Sequence, residues 1–549
     1  MSQIDCRYLG STFLEHSTAE DILKAFKSEL GELSTARLLQ VSMDGPNVNF
    51  RFLNYLKVAL KNESPGSPVL LDLGSCGIHT VHNSFKAGAQ ATGWLLIEFL
   101  RGIYNTFKDV PARRSDYTFF SGSEIFPMKF RGVRWLENDT VAERAIKIVP
   151  NLEKYVEGVN EHSGKKPKAG EVIVIRKPES ASYEALVRGI NDKLIVPKLT
   201  FFQDIALKLK PFLTTYQSDR PLAPFLYTDL TAVLRDLQRK FVKESVRKED
   251  DYSVVKTDVF DKAKVVYAKD FDLGYATRQA LKTVQQNSPK DDPAISQKEI
   301  LLFKNDCLTF VQATCKKLQL KSPLKYPLVK SITFCDPTLV ASSTKTSILR
   351  LKSTLETLVE NMWISGCEAE KAEKAFCDLT SRNAFIEKCK QFKKTERALE
   401  ERLDTFWVSV CSLYGEDSAA LLKVLKLVFT ISHGNAAPER GFSVNKECVI
   451  ENQKEETLVG LRHVYDGIRS AGGSDKVEIT KDCILEARNA RSRYMDSLKS
   501  KDKALKEATE VAEKNKRKSE SLKELRAKKL KTLEELDRLE SEIDAVSKM

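Results

Sequence analysis
No stretch of this chain stays apolar for the ~20 residues that a membrane-spanning helix requires. The run from Trp94 to Leu100 is far too short. Met1 to Gly10 has no positive segment leading into an apolar core, so no secretory signal is expected there. The eleven cysteines are never close-spaced pairs, which argues against both a disulfide framework and a paired-cysteine zinc finger. Several, such as Cys335 and Cys411, stand in apolar surroundings, and a reducing, intracellular compartment is the expectation. No fixed-period repeat recurs, so a solenoid is not supported. From Asp482 to Met549 there is neither proline nor glycine.

What is present is a chain of 549 residues, long enough for several domains and a large core. Hydrophobic residues make up 42% and charged residues 30%, the balance of a globular protein carrying a polar extension. The net charge of +12 suits a polyanionic partner.

The opening region reads as alternating strands and helices. Arg7 to Leu14, Leu38 to Met43 and Pro68 to Leu73 have the apolar and β-branched content of short strands. Between them, Ala19 to Leu30 and Asn49 to Leu60 carry apolar residues at helical spacing. Such an order predicts an α/β sheet, with functional groups at the carboxyl ends of its strands. Beyond Trp94, long amphipathic helices are expected over Trp94–Phe107, Tyr183–Lys193, Leu230–Val246, Gln297–Leu318, Ser347–Met362, Ala369–Phe376 and Lys394–Val410. Glu171 to Ile175 could form an isolated strand. Near the end, Leu522, Lys529, Leu536 and Ile543 recur every seventh residue, with Leu525, Thr532, Leu539 and Val546 as a second seam. Upstream this seam thins to Ala504, Ala508 and Val511. A coiled coil and a solvated single helix both remain open.

Three places could carry chemistry. Asp44, in Val41-Ser42-Met43-Asp44-Gly45-Pro46-Asn47, is an acid at the end of an apolar run, read either as a turn acid or as a metal ligand. Cys76-Gly77-Ile78-His79, with His82 beyond, has too few ligands for a zinc site, and none is expected. Glu439 and Arg440 stand in Ile431-Ser432-His433-Gly434-Asn435-Ala436-Ala437-Pro438-Glu439-Arg440-Gly441-Phe442-Ser443. Pro438 suits a first helical turn, and an acid there is stabilised by the helix dipole.

The last stretch resembles the Glu-Arg-x-Phe-Ser signature of hAT-superfamily transposases. In the same order, the surroundings of Asp44 resemble that family's second triad aspartate, and Cys76 to His79 its Cys-x-x-His. Arg134-Trp135 resembles the Arg-Trp element that precedes its helical insertion. The resemblance runs from about Arg7 to Asn452. It implies an α/β RNase H-like core split by a large all-α insertion, followed by a dimerisation region and a coiled-coil-like helix. The parts would be 1–140 (core, first part), 141–410 (insertion), 411–481 (closing helix and dimerisation region) and 482–549 (charged helix). Asp44 and Glu439 would be the remnant of a catalytic triad able to hold Mg²⁺, supported by Cys76, His79, Arg134, Trp135 and Arg440.

The family's opening strand and its first aspartate have no counterpart here, since Asp5 and Asp21 lie in other contexts. Full strand transfer is therefore not expected, unless a longer N-terminus supplies the missing acid. The expected protein is transposase-derived, nuclear, self-associating and bound weakly to DNA without strong sequence preference, through basic stretches such as Lys165–Lys168 and Lys514–Lys518. Leu421, Leu425 and Phe429, together with Leu522, Leu525, Leu536, Leu539 and Ile543, are the candidate dimerisation residues. The alternative is a coiled-coil scaffold with no role on DNA.

Overall fold
The computed structural model describes residues 4–547, apart from positions 15, 32, 165–174, 248–249, 287–294, 393–400 and 452. The expected α/β core is not found. The chain is 74% helical, and among the described residues there is no strand or sheet, only an isolated bridge between Val242 and Val265. This is an all-α protein.

The reason lies in where the strand-like segments find their backbone partners. Leu38–Met43 and Pro68–Leu73 are extended and run side by side, with the Leu71 N–H donating to the Leu39 carbonyl at 2.9 Å and Cys76 N–H to Met43 at 3.3 Å. Neither segment gains a further strand. Val69 N–H donates instead to Asn361 at a helix end, 3.0 Å away, while the Gln40 side chain exchanges two hydrogen bonds with the Ser432 backbone. Leu39, Leu71 and Leu73 are buried against helices, so an apolar run that fits a buried strand is satisfied without a ladder. Arg7–Leu14 is irregular. Just before it, Ile4 N–H donates to Asp404 Oδ2 (2.8 Å) and the Ile4 carbonyl accepts from Arg402 (2.8 Å). Of the expected strand 171–175, all but Ile175 lies outside the described residues.

The helical expectations fare better. Helices occupy Ala19–Leu30, Asn47–Glu63, Leu96–Phe107, Ala181–Ile190, Leu226–Gln238, Gln297–Lys321, Thr344–Glu360, Gly366–Thr380 and Leu403–Leu413, and residues 394–400 of the expected Lys394–Val410 helix lie outside the described residues. Others, at Gly77–Ala91, Asp139–His162 and Ile195–Tyr216, were not anticipated. None of the described helices is long and apolar enough to cross a membrane. The chain divides into two compact units, Met1–His463 and Val464–Met549.

Within the first unit, Gly77–Ala91 is the helix that matters most. Its Ile78, Val81, Phe85 and Ala89 follow a helical repeat and are buried. Its most extensive neighbour is the Gln297–Lys321 helix. Phe85 meets Phe202 edge-on at 4.8 Å and Phe310 at 5.4 Å. At Gly88 the two backbones close in, since a Cβ there would lie 2.6 Å from the Phe310 carbonyl oxygen and would also strike the Thr314 hydroxyl. Leu421, Leu425 and Phe429 are packed into this same core. A smaller core joins Ala19, Phe52, Leu56 and Leu70, with Phe26 edge-on to Phe52 at 5.5 Å.

Glycine usually weakens a helix by ~0.5–1 kcal/mol relative to alanine. Gly460, helical with nothing within 4 Å of its Cβ position, should follow that rule, and Gly460→Ala should stabilise by about that amount. Gly88→Ala should do the reverse and cost about 1–3 kcal/mol, because the added methyl overpacks two helix backbones. Urea unfolding of the two variants checks the opposite signs.

Candidate functional site
The extended segment that ends at Asp44 lies beside the one that leads into Cys76, and this places Asp44 near the first turn of the Gly77–Ala91 helix. His79 projects from that turn. Its Nδ1 is 3.2 Å from Asp44 Oδ1, an ion-pair contact without hydrogen-bond alignment, and its Nε2 is 3.6 Å from Glu439 Oε1. The two carboxylates therefore sit on opposite sides of one imidazole ring.

Glu439 lies in the first turn of the helix Ala436–Cys448, where the dipole favours an acid, and its N–H donates to the Asn435 carbonyl at 3.0 Å. Pro438 fits there because first-turn N–H groups have no intrahelical partner. Arg134 donates to Glu439 Oε2 at 3.0 Å and also contacts Glu137 at 3.3 Å, and Glu137 in turn pairs with Arg131. The result is a line of alternating charge, Asp44, His79, Glu439, Arg134, Glu137, Arg131. The adjoining Cys76 sulfur, followed by the charges of Asp44 and Glu439, raises His79 to about 9 despite its partial burial. Near neutral pH the ring is an imidazolium.

Asn435 ties these parts together, and sequence reasoning gave it no role. Its side-chain amide donates to Asp44 Oδ1 at 2.7 Å, its carbonyl accepts from Ser42 at 3.0 Å, and its backbone N–H reaches the Cys76 sulfur at 3.4 Å. An asparagine just before a helix is a recognisable capping signal. Here, however, the side chain makes no cap bond and turns to Asp44 instead. Gly434 beside it is required for space, since a Cβ would lie 2.9 Å from the Cys76 sulfur.

The remaining candidates act around this line. Trp135 is buried edge-on to Phe130 at 5.4 Å and donates its indole N–H to the Gly132 carbonyl at 2.8 Å. His82 Nδ1 accepts from the Leu136 N–H at 3.2 Å. Burial, then the charges of His79 and Arg134, lowers His82 to about 4. Arg440 turns away from the site to pair with Asp219 and donate to the Gln217 carbonyl. It braces the helix rather than the carboxylates. A cavity of about 220 Å³ opens beside Glu439, lined by His79, His82, Arg134, Phe442, Ser443 and Lys446 among others.

The donor set does not fit a divalent metal pair. The His79 ring stands between the two carboxylates, Arg134 holds the second oxygen of Glu439, and Asn435 holds Asp44 Oδ1. Among the described residues, no three His, Cys, Asp or Glu side chains are grouped to hold a metal. Cys76 is buried, with its sulfur accepting a hydrogen bond. Chemically, the arrangement is a neutralised charge network that fastens distant segments together. A scan against protein-family models finds no match for this chain, and a search of curated proteins finds none either.

Two pH effects follow. His433 is buried, donates from Nε2 to the Tyr216 carbonyl (3.0 Å), and is pushed down to about 4 by desolvation. His82 and His433 must stay neutral in the fold, whereas the unfolded chain binds their protons below about 6.5. Their contribution to stability is complete above pH 6.5 and is lost as pH falls towards 4. His433→Gln should therefore flatten the decline of thermal midpoint between pH 6.5 and 4. His79 has the opposite sign, stabilising fully below its unfolded value and less as pH rises through 9. His79→Gln should remove that alkaline decline.

Proposed function
We propose that this chain is a transposase-derived, nucleic-acid-associated and self-associating protein that does not carry out full DNA strand transfer. The observation that carries the reading is the convergence of Asp44, His79, Arg134 and Glu439 on one line of charge, although Asp44 and Glu439 stand at opposite ends of the first unit. These residues were singled out by motif resemblance, and nothing in their sequence spacing requires them to meet. The all-α architecture confines the resemblance to these motifs and gives no support to the family's core fold.

The same geometry supports the loss of strand transfer. Two-metal phosphoryl transfer needs carboxylates open to paired cations, and here protein cations already occupy them. What remains suits attachment to phosphates. Arg134 and Lys446 line the cavity beside Glu439, Phe442 in the same wall is 66% exposed, and the charge of +12 attracts a polyanion over longer range. The basic cluster 514–518 is exposed on a helix and suits both phosphate contact and nuclear import. The other basic stretch, Lys165–Lys168, lies outside the described residues. The scaffold reading draws on one observation of its own, the 67-residue helix Lys481–Ser547.

Fluorescence anisotropy with labelled DNA separates these readings. Affinity should fall by roughly tenfold or more between about 50 and 200 mM salt, as expected for at least two phosphate contacts. Arg134→Ala with Lys446→Ala should weaken binding equally for unrelated sequences and lessen the salt dependence. No salt-sensitive binding would leave the scaffold. With Mg²⁺ or Mn²⁺ present, no strand transfer is expected, and transfer abolished by Glu439→Ala would overturn the proposal.

A further inference from the structure
The helix Lys481–Ser547 runs 67 residues, about 100 Å at the standard rise, as one uninterrupted element. Apart from half-buried Leu498, every described side chain in it is exposed, including Leu522, Leu525, Leu536 and Leu539. Most helix stability in proteins comes from packing an apolar face, so an exposed leucine seam of this length suits a partner.

The register of that seam extends much further than the leucines. Counting back in sevens from Leu522 and Leu525 places Ala508 and Asn515 at a positions, and Cys483, Ala490, Ala504 and Val511 at d positions. In this register the seam spans nine heptads from Cys483 to Val546; its large apolar residues lie from Leu522 on, interrupted by Lys529 and Thr532, while upstream small or apolar positions alternate with Ser497, Lys501, Asn515 and Lys518. Lys501, Lys518 and Lys529 fall on the seam, where their stems can lie along apolar surface with the amines in water. Asn515 cannot escape in that way. A single asparagine at an a position is satisfied by the same residue of a second parallel strand, each amide donating to the other, and it selects two strands and one register. In a full-length antiparallel pair, a positions oppose d positions, and Asn515 would face Val511 or Lys518.

We infer that two copies of this chain pair through Lys481–Ser547 as a parallel, in-register, two-stranded coiled coil, with Asn515 facing Asn515 and Cys483 facing Cys483. The inference rests on the self-association proposed above and adds its partner, direction and register.

The test uses the full chain with Cys6, Cys367, Cys377 and Cys448 changed to serine, which leaves Cys483 as the exposed thiol among the described residues. A short bismaleimide should convert most of the protein to a covalent dimer, Cys483→Ser should abolish that product, and light scattering should report two copies. Asn515→Ile should relax the two-copy state towards higher oligomers. Adding Ser547→Cys tests direction, because a link between positions 483 and 547 of different copies forms only in an antiparallel pair and would overturn the inference. Three or four copies in the parent would overturn it too, while leaving self-association intact. A monomer at micromolar concentration would remove both.

Discussion
The close approach of two helix backbones at Gly88 is the constraint on which the first unit depends. With no Cβ at that position, the Gly77–Ala91 helix lies against Gln297–Lys321 closely enough for Phe85 to reach both Phe202 and Phe310. A helix anchored in this way along its buried face has a fixed first turn. That turn carries His79, and Cys76 just before it offers its sulfur to the Asn435 N–H. The packing of the core thus determines where a cation stands between Asp44 and Glu439.

From that anchor the charge network spreads outward. Asp44 reaches the ring from an early extended segment, Glu439 from a helix nearly four hundred residues later, and Arg134 from the turn before the Asp139–His162 helix. Each carboxylate is countered by a cation and a further hydrogen bond, so the desolvation cost of partial burial is offset locally. Side-chain exposures of 44% for Asp44 and 47% for Arg134 leave the line partly open to solvent, and salt will screen it. The strength of the junction comes from Asn435 and the Gln40–Ser432 pair, whose hydrogen bonds link the same two segments without net charge.

The second unit follows a different logic. Its long helix has no buried face of its own among the described residues. In the first unit, by contrast, Leu421, Leu425 and Phe429 are buried within the core. Leu522, Leu525, Leu536, Leu539 and Ile543 are exposed along the long helix.

The sequence by itself determined much of the helical content and the identity of the residues that meet at the site. Helical spacing marked Ala19–Leu30, Gln297–Lys321 and Thr344–Glu360 to within a few residues, since amphipathic periodicity is a local property. Motif order marked Asp44, His79, Arg134 and Glu439. Only the tertiary structure decided that Leu38–Met43 and Pro68–Leu73 would not build a sheet. A short apolar run fits a strand or any other buried segment equally well, and the choice depends on distant partners for its N–H and C=O groups. Tertiary structure also turned Arg440 outward to Asp219 and brought Asn435 inward to Asp44. The direction of a side chain at a helix start depends on which neighbour lies within hydrogen-bond reach, and that is settled by packing hundreds of residues away.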